Sequence, residues 1–167
     1  MSGAEQNEGM KKTLLFVLAL AVIPVGVDAQ GTAVASCADI SPSSALEDVR
    51  TCAEQGDAGA QYNLGYMYTR GGDLPEDYAE AVRWYRLAAE QGDVNAQYNL
   101  GYMYGNGDGV PEDIVFAYMW WNLAAAQGDE VAQENKDIIE QQMTRAQIAE
   151  AQRLSREWLE AYPPGGN

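Results

Sequence analysis

Histidine is absent from this 167-residue sequence, and cysteine occurs only twice. Without histidine, the Ser–His–Asp and Cys–His arrangements of nucleophilic enzymes cannot be assembled. Two cysteines alone cannot supply the four ligands of a structural zinc site. The run GNGDG at 105–109 follows a helical pattern, and it has neither the preceding strand nor the lysine of a phosphate-binding loop. We therefore expect a protein that is not an enzyme and that has no cofactor and no metal site.

Basic residues are also scarce, with 10 Lys and Arg against 25 Asp and Glu and a net charge of −15. Proteins bind nucleic acid through clustered lysine and arginine, which neutralise the phosphate charges. An acidic surface repels both phosphate backbones and anionic membranes. The composition therefore excludes nucleic acid as a partner, and solubility is the simplest explanation of the acidity.

No apolar run reaches the roughly 20 residues that a membrane-spanning helix needs. The longest run, Leu14–Val27, follows two lysines and precedes the small-x-small sequence Val27-Asp28-Ala29. This order is typical of a secretory signal peptide. We predict a signal peptide over 1–29 and a linker over 30–41, and we expect an exported protein with no membrane span after cleavage. A retained N-terminal anchor is the alternative.

The two cysteines, Cys37 and Cys52, are predicted to form a disulfide, because exported proteins oxidise paired cysteines. Closing a loop of this size stabilises the fold by about 3 kcal/mol in the chain-entropy model. A second interpretation rests on the sequence VASC at 34–37, which resembles a bacterial lipobox with Cys37 as the lipidated residue. Polar residues separate it from the apolar run, and this makes it the weaker interpretation.

A 36-residue repeat organises the rest of the chain. Ala53–Ala88 aligns with Ala89–Ala124 without a gap, and 22 of the 36 positions are identical, including the octapeptide QYNLGYMY. A third copy begins at Ala125 and soon departs, and residues 41–56 match the second half of a unit. We predict a helical repeat domain over 42–142, built from half a unit, two full units and a decaying one.

Each unit is predicted to contain two helices and no strand, because apolar residues recur at helical spacing and never alternate over a sustained stretch. Gly56 and Gly92 suit the left-handed position after a helix, and the following aspartates can cap the next helix. Gly65 and Gly101 lie inside the first helices and indicate close approach of two backbones. Further aspartates start the second helices, and the residues expected to be buried are Ala60, Leu64, Tyr68, Ala81, Trp84, Tyr85, Ala88, Trp120 and Trp121.

The chain end differs from the repeat. Thr144 and Gln147 match a capping box, and apolar residues follow at helical spacing. We predict a capping helix over 143–162 that covers the last exposed face of the stack, followed by a disordered tail at 163–167.

The repeat resembles the Sel-one-like repeat, a relative of the tetratricopeptide repeat. The positions that carry the resemblance in the first unit are Ala60, Leu64, Gly65, Tyr68, Gly71, Pro75, Asp77, Ala81, Trp84, Ala88, Ala89 and Gly92. The second unit keeps the same pattern from Ala96 to Gly128. The resemblance implies an all-α, right-handed α/α superhelical solenoid. It also implies a scaffold or adaptor that is exported to the bacterial envelope, either kept in the periplasm or secreted.

A ladder of aromatic and amide side chains lies off the predicted buried stripe of the first helices. In related solenoids this side lines the concave groove. Tyrosine offers rigid contact area, and asparagine can hold a peptide backbone through its donor and acceptor. Packing between repeats is the alternative role. The predicted partner-binding residues are Tyr62, Asn63, Tyr66, Tyr98, Asn99 and Tyr102.

These observations predict a non-catalytic exported adaptor or scaffold that binds a protein or peptide of unknown identity on its concave face. The alternative comes from cysteine-rich relatives that bind penicillin or weakly hydrolyse β-lactams. Those relatives carry a cysteine pair in each repeat, whereas this chain has one pair and lacks the S-x-x-K motif of serine β-lactamases. A third hypothesis is a structural role, with the chain packing end-on against other repeat proteins.

Overall fold

The computed structural model describes residues 37–163, and every regular element in that range is helical. The elements are a 3-10 helix at Cys37–Asp39, then α1 Leu46–Glu54, α2 Ala58–Arg70, α3 Tyr78–Glu90, α4 Val94–Asn106, α5 Ile114–Ala126, α6 Glu130–Glu140 and α7 Arg145–Ala161. None of these helices is both long and apolar enough to cross a bilayer. The predicted signal peptide, residues 30–36 of the predicted linker and residues 164–167 of the predicted tail lie outside the described residues.

The helices begin at the predicted aspartates. The carboxylates of Asp57 and Asp93 accept the backbone N–H groups of Ala60 and Ala96, each at 2.7 Å. Such a cap satisfies a donor that has no partner inside the helix. The glycine before Asp57 has a φ of 95°, which a residue with a side chain rarely adopts. The predicted start and stop signals are therefore confirmed, including the caps at Asp77, Asp113 and Asp129.

Successive helices pack in order along the array. Helices α2 and α3 form one closely packed pair, α4 and α5 form the next, and α3 and α5 contact the first helix of the unit that follows each of them. The core is built from alanines at the crossing points and from large side chains between them. The predicted all-α solenoid of helix-pair repeats is confirmed, and so is the burial of the four aromatic residues at 84, 85, 120 and 121.

The glycines inside the first helices make room for aromatic rings. A Cβ atom on Gly65 would lie 2.8 Å from the ring of Tyr85, and one on Gly101 would lie 2.5 Å from the ring of Trp121. We predicted close approach of two backbones at these glycines. Only the Ala81 carbonyl oxygen, 3.2 Å from the Gly65 Cβ position, fits that prediction, and the ring contacts are shorter.

The C-terminal helix is present and begins with the predicted capping box at Thr144 and Gln147. It packs against α5 and makes little contact with α6, and the ring of Trp158 lies 4.6 Å from that of Trp120. Helix α7 therefore covers an apolar side of α5, and its role as the cap over the last exposed face of the stack stays a prediction. Helix α6 has Lys136 and Asp137 at the positions of the buried leucine and glycine of α2 and α4.

Residues 37–41, predicted to end a linker, pack onto the array. The disulfide joins Cys37 to Cys52 of α1, with 5.5 Å between their Cα atoms. The side chains of Cys37 and Ile40 contact the cluster around Val49, Cys52 and Leu64. In this structure the Cys37 sulfur is bonded to Cys52, and no thiol remains there for a lipid.

Candidate functional site

The six predicted partner-binding residues lie on α2 and α4 at three pairs of equivalent positions, 36 residues apart. Helix α6 continues each position into the third unit. The outer row consists of Tyr66, Tyr102 and Ile138. The inner row consists of Tyr62, Tyr98 and Glu134, and the amide row consists of Asn63, Asn99 and Asn135. The three rows differ in how much solvent they meet.

The outer row is the most open. Tyr102 is 51% exposed and Ile138 is 58% exposed. Tyr66 is half-buried, and its hydroxyl accepts a hydrogen bond of 3.2 Å from the Arg70 guanidinium, which also lies 5.7 Å from the ring centre. Large apolar side chains exposed at one repeated position are a feature that interaction surfaces share.

The two tyrosines of the outer row lie near the start of the preceding unit's second half. Tyr66 and Pro42 line the same cleft of about 330 Å³. Tyr102 lies close to Tyr78, the residue one repeat after Pro42, and the pKa of Tyr78 is raised, chiefly by Glu76, with Tyr102 as a further cause. The outer row therefore meets the same neighbouring position in both full units.

The inner row packs between helices. The ring of Tyr62 lies 6.4 Å from that of Tyr66 and 5.8 Å from that of Tyr85. Burial raises the pKa of Tyr62, with Asp93 adding to the rise and a hydrogen bond with Asn99 opposing it. Tyr98 is half-buried against the cluster of α5 and α6. For these two tyrosines the structure favours packing between repeats, the alternative that the sequence left open.

The first residue of the amide row is buried. Asn63 is only 5% exposed, and its side-chain N–H donates to the Ile40 carbonyl at 3.3 Å. Asn99 is half-buried and donates to the Asn95 carbonyl of its own helix at 2.8 Å. In this conformation the Asn63 amide therefore holds the chain's own backbone, and it does not line an open groove.

Sequence reasoning missed two exposed residues of α6. Val131 is 52% exposed, and Ile138 is 58% exposed at the position equivalent to Tyr66 and Tyr102. The third unit departs from the repeat after Asn135, and its later residues were therefore not aligned with the ladder. Extending the alignment by three residues would have placed Ile138 in the outer row.

A second surface arises where α7 crosses the second helices. A cleft of about 520 Å³ is lined by aromatic residues from α4, α5 and α7, and the Arg86 guanidinium donates to the Tyr104 hydroxyl there at 2.7 Å. The Tyr104 and Phe116 rings are 5.1 Å apart, and the Trp158 and Tyr162 rings are 4.4 Å apart. The sequence did not indicate this cleft, because its walls depend on where α7 packs.

The arrangement of the described residues is suited to non-covalent binding. Within residues 37–163, no three His, Cys, Asp or Glu side chains converge closely enough to hold a metal ion. Burial raises the pKa of Asp93, but this carboxylate caps α4 and accepts the Ala96 N–H. Its perturbed pKa therefore has a structural explanation.

Comparison with known protein families identifies the repeat. The family profile described as "Sel1 repeat" matches residues 58–93 and 94–129. The curated proteins contain no match to this chain.

The solved structures that are similar to the chain include the following two. One is c5321, a protective antigen present in uropathogenic Escherichia coli strains displaying an SLR fold, which is 37% identical over 70% of this chain with a TM-score of 0.67. The other is a Sel1 repeat protein from Oxalobacter formigenes, 39% identical over 53% of this chain with a TM-score of 0.52. The matched region spans 25% of the first structure's chain and 26% of the second's.

Proposed function

Because the chain carries two Sel1 repeats, we propose that it is a non-catalytic adaptor or scaffold that binds a protein or peptide through the outer row. Sel1 repeat proteins are generally protein-interaction modules. The observation that carries the proposal is the repeated exposure of one position, by Tyr102 at 51% and Ile138 at 58%, beside the partly open Tyr66.

The chemistry of the outer row indicates the kind of partner. Two phenol rings and one aliphatic side chain offer rigid apolar area with polar edges, which suits apolar and aromatic side chains of a partner. The net charge of −15 repels strongly acidic partners at long range. A neutral or basic segment with spaced apolar side chains fits both properties.

We place this adaptor outside the cytoplasm, in the periplasm or beyond it. The sequence pattern of a signal peptide at 1–29 supports export. The Cys37–Cys52 disulfide supports it too, because such bonds persist in oxidising compartments. The penicillin-binding alternative gains no support, since the one bridge lies at the start of the array and not within each repeat.

The proposal is tested by asking whether the outer row is needed to bind a partner protein. The variant Tyr66→Ala, Tyr102→Ala, Ile138→Ala is compared with the wild type in pull-downs from envelope extract, followed by binding measurements with each purified candidate. The control is Leu159→Ala, which removes an exposed apolar side chain from α7. We expect the triple variant to lose at least about tenfold in affinity, since interface aromatics typically cost more than 1 kcal/mol when truncated.

Circular dichroism confirms that both variants keep their helices. A partner that binds the triple variant as tightly as the wild type contradicts the assignment of the outer row. Equal loss in the triple variant and in Leu159→Ala contradicts it as well, because the effect is then not specific to this face.

A further inference from the structure

The start of the array is covered by an irregular segment where the repeat leads one to expect a helix. Helix α1 corresponds to the second helix of a unit, and the first helix of that unit is the element that α2 would pack against. In its place lie Cys37–Asp39, a single 3-10 turn, and Ile40. Among the described residues, which begin at Cys37, the side of α2 that carries Asn63 meets the four residues 37–40.

Three different features hold this segment on α1 and α2. The disulfide ties Cys37 to Cys52. The carbonyl of Ile40 accepts the Asn63 amide, and the Ile40 side chain packs on the core cluster that contains Leu64. Two residues later, Pro42 lines the cleft beside Tyr66, together with Met67 and Leu74.

The equivalent position in the next unit shows what is unusual here. Asn99 donates to the Asn95 carbonyl, one turn earlier in its own helix. Asn63, one repeat earlier, donates instead to the Ile40 carbonyl, which lies outside its helix. An amide that donates to a main-chain carbonyl, next to an apolar pocket for the same residue's side chain, binds both the backbone and the side chain of a peptide segment.

We infer that Asn63, Met67 and Leu74 form a binding site for a short peptide turn with an aliphatic side chain, and that residues 37–42 are its tethered occupant. The site takes the Ile40 carbonyl on Asn63 and the Ile40 side chain against the core. It lies at the start of the array, and its cleft includes Tyr66 of the outer row but neither Tyr102 nor Ile138. This inference therefore goes beyond the proposed function and does not depend on it.

Tethering explains why the occupant stays bound. The segment is joined to α1 twice, through the chain that follows residue 42 and through the disulfide from Cys37 to Cys52. Its effective concentration at the site is therefore in the millimolar range, which a free peptide cannot match. Opening the bridge and weakening the Ile40 contact lowers that advantage. The site should then accept the same peptide from outside.

The first experiment is trans-binding to the full chain. The probe is a fluorescein-labelled hexapeptide, Ser-Ala-Asp-Ile-Ser-Pro, which copies residues 37–42 with serine at the cysteine position. The receptor carries Cys37→Ser, Cys52→Ser and Ile40→Ala, so that its own segment competes poorly. We expect saturable binding to this receptor, no binding to the oxidised wild type, and about 2–10-fold weaker binding when Asn63→Ala is added.

Matched controls separate the site from the outer row. Adding Tyr102→Ala to the receptor should leave peptide binding unchanged, and replacing isoleucine by alanine in the peptide should abolish it. Equal binding to the oxidised wild type overturns the inference, as does a folded receptor that binds no peptide.

A second experiment needs no disulfide-free protein. Hydrogen exchange of residues 37–44 is measured in the oxidised full chain, in Asn63→Ala and in Asn99→Ala. We expect Asn63→Ala to speed exchange in this segment several-fold and Asn99→Ala to leave it unchanged. The same exchange in all three proteins overturns the assignment of Asn63.

Discussion

The two full repeats have nearly the same first helices but differ in the second. Helix α3 carries a polar outer face with Glu80, Arg83 and Arg86, and the first two form an ion pair at 2.9 Å. Helix α5 has Phe116 and Met119 at the positions of Glu80 and Arg83. A helix that is apolar on all sides needs cover on all sides. Helix α7 packs on α5, where Met119 and Trp120 are buried and Phe116 stays 36% exposed, whereas Arg83 and Arg86 of α3 are exposed to solvent.

This comparison shows that one set of sequence positions determines the fold of a repeat, and that another set determines the character of its outer face. The positions shared by both units form the caps, the crossing alanines and the glycine contacts. The positions that differ determine whether the outer face of a second helix is polar or apolar. Three predictions follow the comparison, from the largest expected effect to the smallest.

The largest difference in the free energy of unfolding is expected between substitutions of the equivalent tryptophans, Trp84 and Trp120. Trp120→Ala should cost about 3–5 kcal/mol of unfolding free energy, because it opens a cavity in the buried core. Trp84→Ala should cost less, because Trp84 contacts no helix equivalent to α7. Urea denaturation measures both, and a double-mutant cycle of Trp120→Ala with Trp158→Ala should show about 0.5–1.5 kcal/mol of coupling. A larger loss for Trp84→Ala, or no coupling, contradicts the role we give to α7.

The glycine contacts should give the next largest effect. Gly101→Ala places a methyl group 2.5 Å from the Trp121 ring and should cost about 1–3 kcal/mol, despite the better helix propensity of alanine. Gly65→Ala meets Tyr85 at 2.8 Å and should cost less. Thermal unfolding of both variants tests the order. Stabilisation by Gly101→Ala would show that the ring moves aside freely.

Alkaline pH should affect the first repeat through Tyr85, which occupies the position of Trp121. Burial raises the pKa of Tyr85 above its ordinary value of 10.0. The unfolded chain therefore loses this proton first, and the stabilisation present below pH 10 is lost as the pH rises further. The free energy of unfolding should fall by up to about 1.4 kcal/mol per pH unit from this group.

The control for the alkaline effect is Tyr85→Phe, which removes the hydroxyl and keeps the ring. Burial also raises the pKa values of Tyr62 and Tyr118, and these tyrosines remain in the variant. Chemical denaturation at pH 9 and above should therefore show a smaller slope in Tyr85→Phe, and not a slope of zero. An identical slope in both proteins contradicts the contribution of Tyr85.

The candidate site was only partly predictable. The sequence identified the ladder positions on α2 and α4, since their 36-residue spacing and their place off the buried stripe are visible in the letters. It could not separate exposed Tyr102 from packed Tyr62, because both are tyrosines on the same side of equivalent helices and their exposure depends on the neighbouring helices. It also could not show that Ile40 lies on Asn63, a contact across 23 residues.

The sequence by itself determined the helices, their caps, the repeat period and the burial of the aromatic core. These features depend on spacing and on contacts within a few residues, and a capping aspartate acts three residues from its partner. Only the tertiary structure decided that α7 covers α5, that Asn63 is occupied by the chain's own backbone, and that the outer row is the open one. Those outcomes depend on which surfaces, distant in the sequence, fit together, and they cannot be predicted from the sequence of one helix alone.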